Sequence, residues 1–120
     1  AILASHNFSG TTYTSTSTSL VLEIPSITSS GSVIAGTYDY AAFYVVGSTT
    51  AYRVLAANAA SNRISGIKLL STTIQSLTFT YNASNFTQVS STTIDIQTRA
   101  QVKQDVLTDR QREQLILRNR

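Results

Sequence analysis

The chain has 120 residues, of which 42% are hydrophobic and only 12% charged, and its net charge is +3. The apolar content suits one folded domain, but the charge is about half the roughly 25% usual in soluble domains, so hydroxyls and amides must keep it in solution. With no Cys, Met or Trp it has no disulfide, thiol nucleophile or thiolate metal site, and a charge so small and mixed in sign argues against nucleic acid as a partner.

Residues 2–8 and 11–14 read as a strand pair, and the low-complexity stretch 11–19 as an edge strand or an extended loop. Residues 20–24 alternate, with Leu20, Leu22 and Ile24 on one face, and Pro25 is expected to close that strand. Residues 37–46 give the strongest strand. Tyr38, Tyr40, Tyr44 and Val46 share one face, and Phe43 and Val45 the other, so it should be central. Residues 47–50 form a hairpin loop into a strand over 51–56, and 58–62 are the next turn.

A strand over 63–70 follows, with a bulge expected at Gly66. Residues 74–81 alternate cleanly, with Leu77, Phe79 and Tyr81 inward. After a turn at 82–85, residues 86–89 and 92–96 give one or two final strands. The expected core includes Leu22, Phe43, Val45, Val54, Leu69, Leu77 and Phe79.

The charges gather at the C-terminal end. From Asp95 onward there are six basic and four acidic residues, against a sparsely charged body. Thr98 with Gln101, and Thr108 with Gln111, match capping boxes, so residues 98–120 read as helix. Their apolar residues are Val102, Val106 and Leu107, then Leu115, Ile116 and Leu117, with seven polar residues between. No continuous heptad seam exists, so two apolar patches on a solvated rod are expected. The fold expectation is therefore mainly β: a small antiparallel sandwich or barrel of roughly six to eight strands over 1–97, with a C-terminal α-helical docking arm over 98–120.

Few residues offer chemistry. His6 is the only histidine and has no carboxylate or second histidine nearby in sequence to make a triad or metal site. Glu23 and Asp39 are the only carboxylates before Asp95. For these two acids a solvated or salt-bridged role, with Arg53 or Arg63 as partner, is a better expectation than a glycosidase pair, which needs two carboxyls about 5–10 Å apart. The tyrosines at 38, 40 and 44, joined by Tyr13, Tyr52 or Tyr81, form either a sugar-stacking surface or a core face. Three N-glycosylation sequons, at Asn7, Asn82 and Asn85, carry little weight, because a composition this rich in Ser and Thr supplies about two by chance. Arg110, Arg112, Arg118 and Arg120 alternate with acids and read as a solvated face. No phosphate loop, dinucleotide fingerprint or nucleophile elbow is present.

Low charge, a Thr/Ser-rich β body, no Cys and a tail read as helical together resemble small structural proteins of bacterial virus particles. The resemblance carries no residue-by-residue correspondence. It implies a non-enzymatic assembly subunit, without cofactor or metal, such as a capsid-associated, decoration, collar or fibre-base protein in a virion or outside the cell. Its partners would be copies of itself or a larger structural assembly. The docking residues would be Val102, Val106, Leu107, Leu115, Ile116 and Leu117, with Arg110 and Arg112 setting register by charge. The alternative is a secreted or cell-surface module that binds glycan on Tyr38, Tyr40 and Tyr44. A small hydrolase is a third reading, weakened by the scarcity of acid–base groups. No apolar run approaches the roughly 18 residues that span a membrane. The missing initiator Met fits either routine removal before a small residue or cleavage within a precursor.

Overall fold

The computed structural model describes residues 1–102 and 105–116, with side chains except at 100–102, 105, 107 and 115. Among the described residues the chain is mainly β, as expected. Its strands are β1 (Ile2–Leu3), β2 (Ser5–Phe8), β3 (Thr11–Thr14), β4 (Leu20–Ile27), β5 (Val33–Val46), β6 (Thr50–Ala56), β7 (Gly66–Ser71), β8 (Ile74–Tyr81), β9 (Ser91–Val102) and β10 (Asp105–Ile116). They form a five-stranded sheet β1-β4-β5-β6-β7, a three-stranded sheet β8-β9-β10 and the β2–β3 hairpin, all antiparallel.

β5 is central, as its apolar character on both faces predicts, and pairs with β4 and β6 along most of its length. Its alternation builds two core layers. On one side, Phe8 of the hairpin packs with Val21, Ala42 and Val54, flanked by Tyr13, Tyr40 and Tyr44. On the other, Ile2 and Leu20 meet Phe79 and Val89 across the gap to the three-stranded sheet, with Leu22, Phe43, Leu77 and Ile94 filling in. The five-stranded sheet thus lies between a hairpin and a second sheet, each burying one of its apolar faces. Gly47 and Ser48 both take positive φ, at 64° and 67°, in the β5–β6 turn. That backbone suits the right-handed twist of the strands they join.

Several expectations need correction. Pro25 does not close β4. The strand continues to Ile27, and the proline sits beside a register shift between Pro25 and Ile27, where a missing N–H is tolerated. The shift leaves Ser26 free to turn its hydroxyl inward onto Asp39. The register shift in the β6–β7 pair lies between Ala51 and Tyr52, not at Gly66. Residues 86–88 form a 3-10 turn capped by the Asn85 side chain, so of the expected strands at 86–89 and 92–96 only the second forms, within β9. Leu69 is 52% exposed rather than core, because β7 is an edge strand and the hairpin layer packs on β4, β5 and β6 instead.

The largest correction is the arm. The structure shows no helix there: β9 runs unbroken through residues 97 and 98, and β10 returns alongside it in register from Asp105↔Val102 to Ile116↔Ser91. Thr98, read as a helix cap, pairs with Ile74 on one side and Asp109 on the other. The reason is energetic. Helix preferences differ by only tenths of a kcal/mol per residue, and a lone helix of this length is marginal without an apolar stripe to pack. The edge of β8–β9 instead gives the backbone of 105–116 a hydrogen-bonding partner. Leu117, with residues 103–104 and 118–120, lies outside the described residues.

Candidate functional site

The β9–β10 hairpin is the feature the body does least to cover. β10 occupies the end position of its sheet, so one side of its backbone meets no strand among the described residues. Its alternation gives two faces. Val106, Thr108, Arg110, Arg112, Gln114 and Ile116 share the face of Asp95 and Gln97, away from the core, while Asp109, Gln111 and Glu113 share that of Ile94 and Ile96. All nine are exposed, including Val106 at 45% and Ile116 at 72%. The core-side positions 109, 111 and 113 are polar. Of the expected docking residues, Val106, Arg110, Arg112 and Ile116 therefore come together on one open face. The backbones of Val102, Leu107 and Leu115 pair with Asp105, Ala100 and Thr92.

One charge pair stiffens the hairpin from outside. Arg110 donates from Nε and one terminal nitrogen to the two Asp95 oxygens, at 3.0 and 2.6 Å, across a diagonal of the ladder. The hydrogen bond from Arg110 holds the Asp95 carboxyl below its ordinary value. Both side chains reach solvent, so the pair fixes geometry more than it adds stability.

The densest polar cluster lies elsewhere. Asp39 is 0% exposed. Its carboxylate accepts from Ser26 Oγ and the Asn58 N–H at 2.8 Å, from Ser61 Oγ at 2.6 Å, and from Arg63 at 2.8 Å. Burial alone would raise its pKa, but the hydrogen bonds from Ser61, Asn58, Arg63 and Ser26 outweigh burial and hold it at about 2. Arg63 also donates to the Pro25 carbonyl at 2.7 Å. Of the pairings open to the two acids, the structure forms Asp39–Arg63, and the bridge ties the 58–63 turn to β4 and β5. A carboxylate so acidic is a poor general base, and both serine hydroxyls are spent donating to it. Glu23 pairs with Tyr40 and Asp39 with Ile24, so the two carboxylates occupy opposite faces of the sheet and do not form a glycosidase pair.

The tyrosines line up as alternation predicts, but mostly against each other. Tyr13 of the hairpin meets Tyr44 at a 4.8 Å ring separation, Tyr44 stacks on Tyr52 at 5.7 Å, and His6 stacks on Tyr40 at 3.8 Å. Burial, with Tyr13 and Tyr52 close by, pushes the Tyr44 phenol up to about 12. Burial and the neighbouring Glu23 raise Tyr40 as well. Tyr38 alone of the three on β5 is exposed. Tyr81 does not join them. Its hydroxyl reaches the Thr16 and Ser19 carbonyls at 2.8 and 3.0 Å, on the other side of the sheet. His6 serves as an aromatic wall, and among the described residues no three of His, Cys, Asp or Glu gather to hold a metal.

Sequence reasoning overlooked the pairing of Arg53 with Lys68, directly opposite each other on β6 and β7. Two cations at the middle of neighbouring short apolar runs were the available signal. No helix among the described residues is long and apolar enough to cross a membrane. No protein-family model, curated protein or solved structure matches the chain.

Proposed function

We propose that this chain is a non-enzymatic structural subunit that assembles with copies of itself through the open edge of β10. The observation that carries this reading is the twelve-residue β10, unpaired along one side among the described residues and exposed at residues 106, 108–114 and 116. A long open edge is a template for further strand pairing. Natural edges are usually short, bulged or covered, whereas this one is long and has Val106 and Ile116 on its outer face. Arg110 and Arg112 on that same face give the charge pattern that selects a register. The low charge and hydroxyl-rich composition favour a virus particle or another extracellular assembly as the setting, in line with the compositional resemblance.

Sedimentation velocity over a range of concentrations tests the reading. The natural chain should associate as concentration rises. A Val106→Lys/Ile116→Lys double variant, altered only at exposed positions, should keep its fold and lose that association. A natural chain that stays monomeric throughout, or a double variant that associates equally well, refutes it. The glycan-binding alternative is weaker on geometry, since the rings at Tyr40 and Tyr44 are engaged by His6, Tyr13 and Tyr52.

A further inference from the structure

Between the two sheets lies a cavity of about 280 Å³ with an almost wholly apolar lining, contributed by Leu22, Phe43 and Leu70 on one side and Leu77, Ile94 and Ile96 on the other. It is nearly twice the ~150 Å³ of an apolar cavity known to stay dry and accept a small hydrocarbon. It is not sealed. Leu70, which lines it, is exposed on the edge strand β7, and Glu113 and Gln111, directly opposite Ile94 and Ile96 on β10, are exposed too. The mouth therefore lies along the β7 side of the sandwich.

Two cations lie outside its lining but next to lining residues in the strand ladder. Arg53 is the direct cross-strand neighbour of Phe43, and Lys68 is the direct neighbour of Arg53, two positions from Leu70. Like charges placed opposite each other in a sheet repel. Neither has an ion-pair partner among the described residues. The Nε of Arg53 is shielded from solvent and has no hydrogen-bond acceptor. A buried donor without an acceptor is uncommon and costly. An apolar void and an unmet pair of positive charges thus adjoin on one face.

We propose that this cavity binds an amphipathic anion, a fatty carboxylate with a chain of roughly eight carbons, given a volume near 30 Å³ for each water-sized group. The tail fills the void between Phe43 and Ile96. The carboxylate lies between Arg53 and Lys68, accepts from the orphaned Nε and relieves their repulsion. The site is separate from the outer face of β10, so it does not depend on the assembly reading.

Isothermal titration calorimetry with octanoate and, separately, octanol tests it, with circular dichroism to confirm that each variant is folded. Octanoate should bind saturably at one site per chain. Lys68→Gln, at an exposed position, and Arg53→Gln should each weaken octanoate about tenfold while leaving octanol unchanged. Leu70→Trp, which fills the mouth, should abolish both. Absence of saturable octanoate binding overturns the proposal. So does octanoate binding that is indifferent to Lys68→Gln and Arg53→Gln, or that survives Leu70→Trp.

Discussion

Replacing Asp39 with Ala removes the one acceptor on which four donors converge. Ser26 is completely buried, so its hydroxyl bears the full cost of an unsatisfied buried group, about 1–3 kcal/mol. Ser61, Asn58 and Arg63 reach solvent in part, and the Arg63 side chain is 28% exposed, so their losses are partly recovered through water. Together these give a destabilisation of about 3 kcal/mol. With a urea slope of about 1–3 kcal/mol per molar, the unfolding midpoint should fall by about 1–3 M. Part of the effect is charge-linked. An Asp held at about 2 instead of 3.8 favours the folded state by about 2–3 kcal/mol at neutral pH. Because the folded-state pKa is the lower one, that stability is complete above about pH 4 and disappears as pH falls towards 2. The gap between the natural chain and Asp39→Ala should therefore narrow over that window. Asp95, also held low, titrates in the same direction in both proteins and cancels from the difference. Equal urea midpoints at pH 7, or a gap that widens in acid, refutes the reading of Asp39 as an ionised pin.

Phe79 is 4% exposed in the layer between the sheets, so Phe79→Ala should cost ~3–5 kcal/mol in chemical unfolding, whereas Leu69→Ala at the exposed edge should change the midpoint little. Ultraviolet titration should show tyrosines ionising near pH 12, with Tyr44 and Tyr81 among them. Their folded-state pKa lies above the ordinary value of 10, so ionisation favours unfolding and stability should drop between pH 10 and 12. Tyr44→Phe and Tyr81→Phe should each soften that drop, and a stability curve flat to pH 12 contradicts the buried-phenol assignments.

The parts of the fold legible in the sequence are those set by alternation and local turn chemistry. Residues 37–46 announce a central strand because Phe43 and Val45 are as apolar as the tyrosines opposite, and β5 lies between β4 and β6. The 47–50 turn is legible for similar reasons, whereas the sequence leaves open which of Glu23 and Asp39 meets Arg53 or Arg63. What failed depended on distant partners. Leu69 alternates like a core residue, but its burial depends on how far the β2–β3 hairpin layer extends across the sheet. Thr98 and Thr108 carry the residue spacing of helix caps, yet the same threonines suit a strand, and only the proximity of β8 to β9 decides between the two. The run Thr92, Thr93, Ile94, Ile96, Thr98 was the available hint that strand character crosses into the arm. The site was legible to the extent that Val106, Arg110, Arg112 and Ile116 were singled out. Their grouping on one face follows from a period of two, not from the helical period read from the caps.

Edge pairing through β10 is tested most directly by distances between copies. The chain has no Cys, so a single Thr108→Cys or Ser30→Cys substitution places one nitroxide label at an exposed position. Paired strands lie about 4.7–4.9 Å apart, so labels on facing β10 edges fall within the range of strong dipolar broadening. The account predicts concentration-dependent broadening for the label at 108 and none for the label at 30. Broadening equal or greater at 30, or spectra at 108 unchanged by concentration, contradicts assembly through this edge.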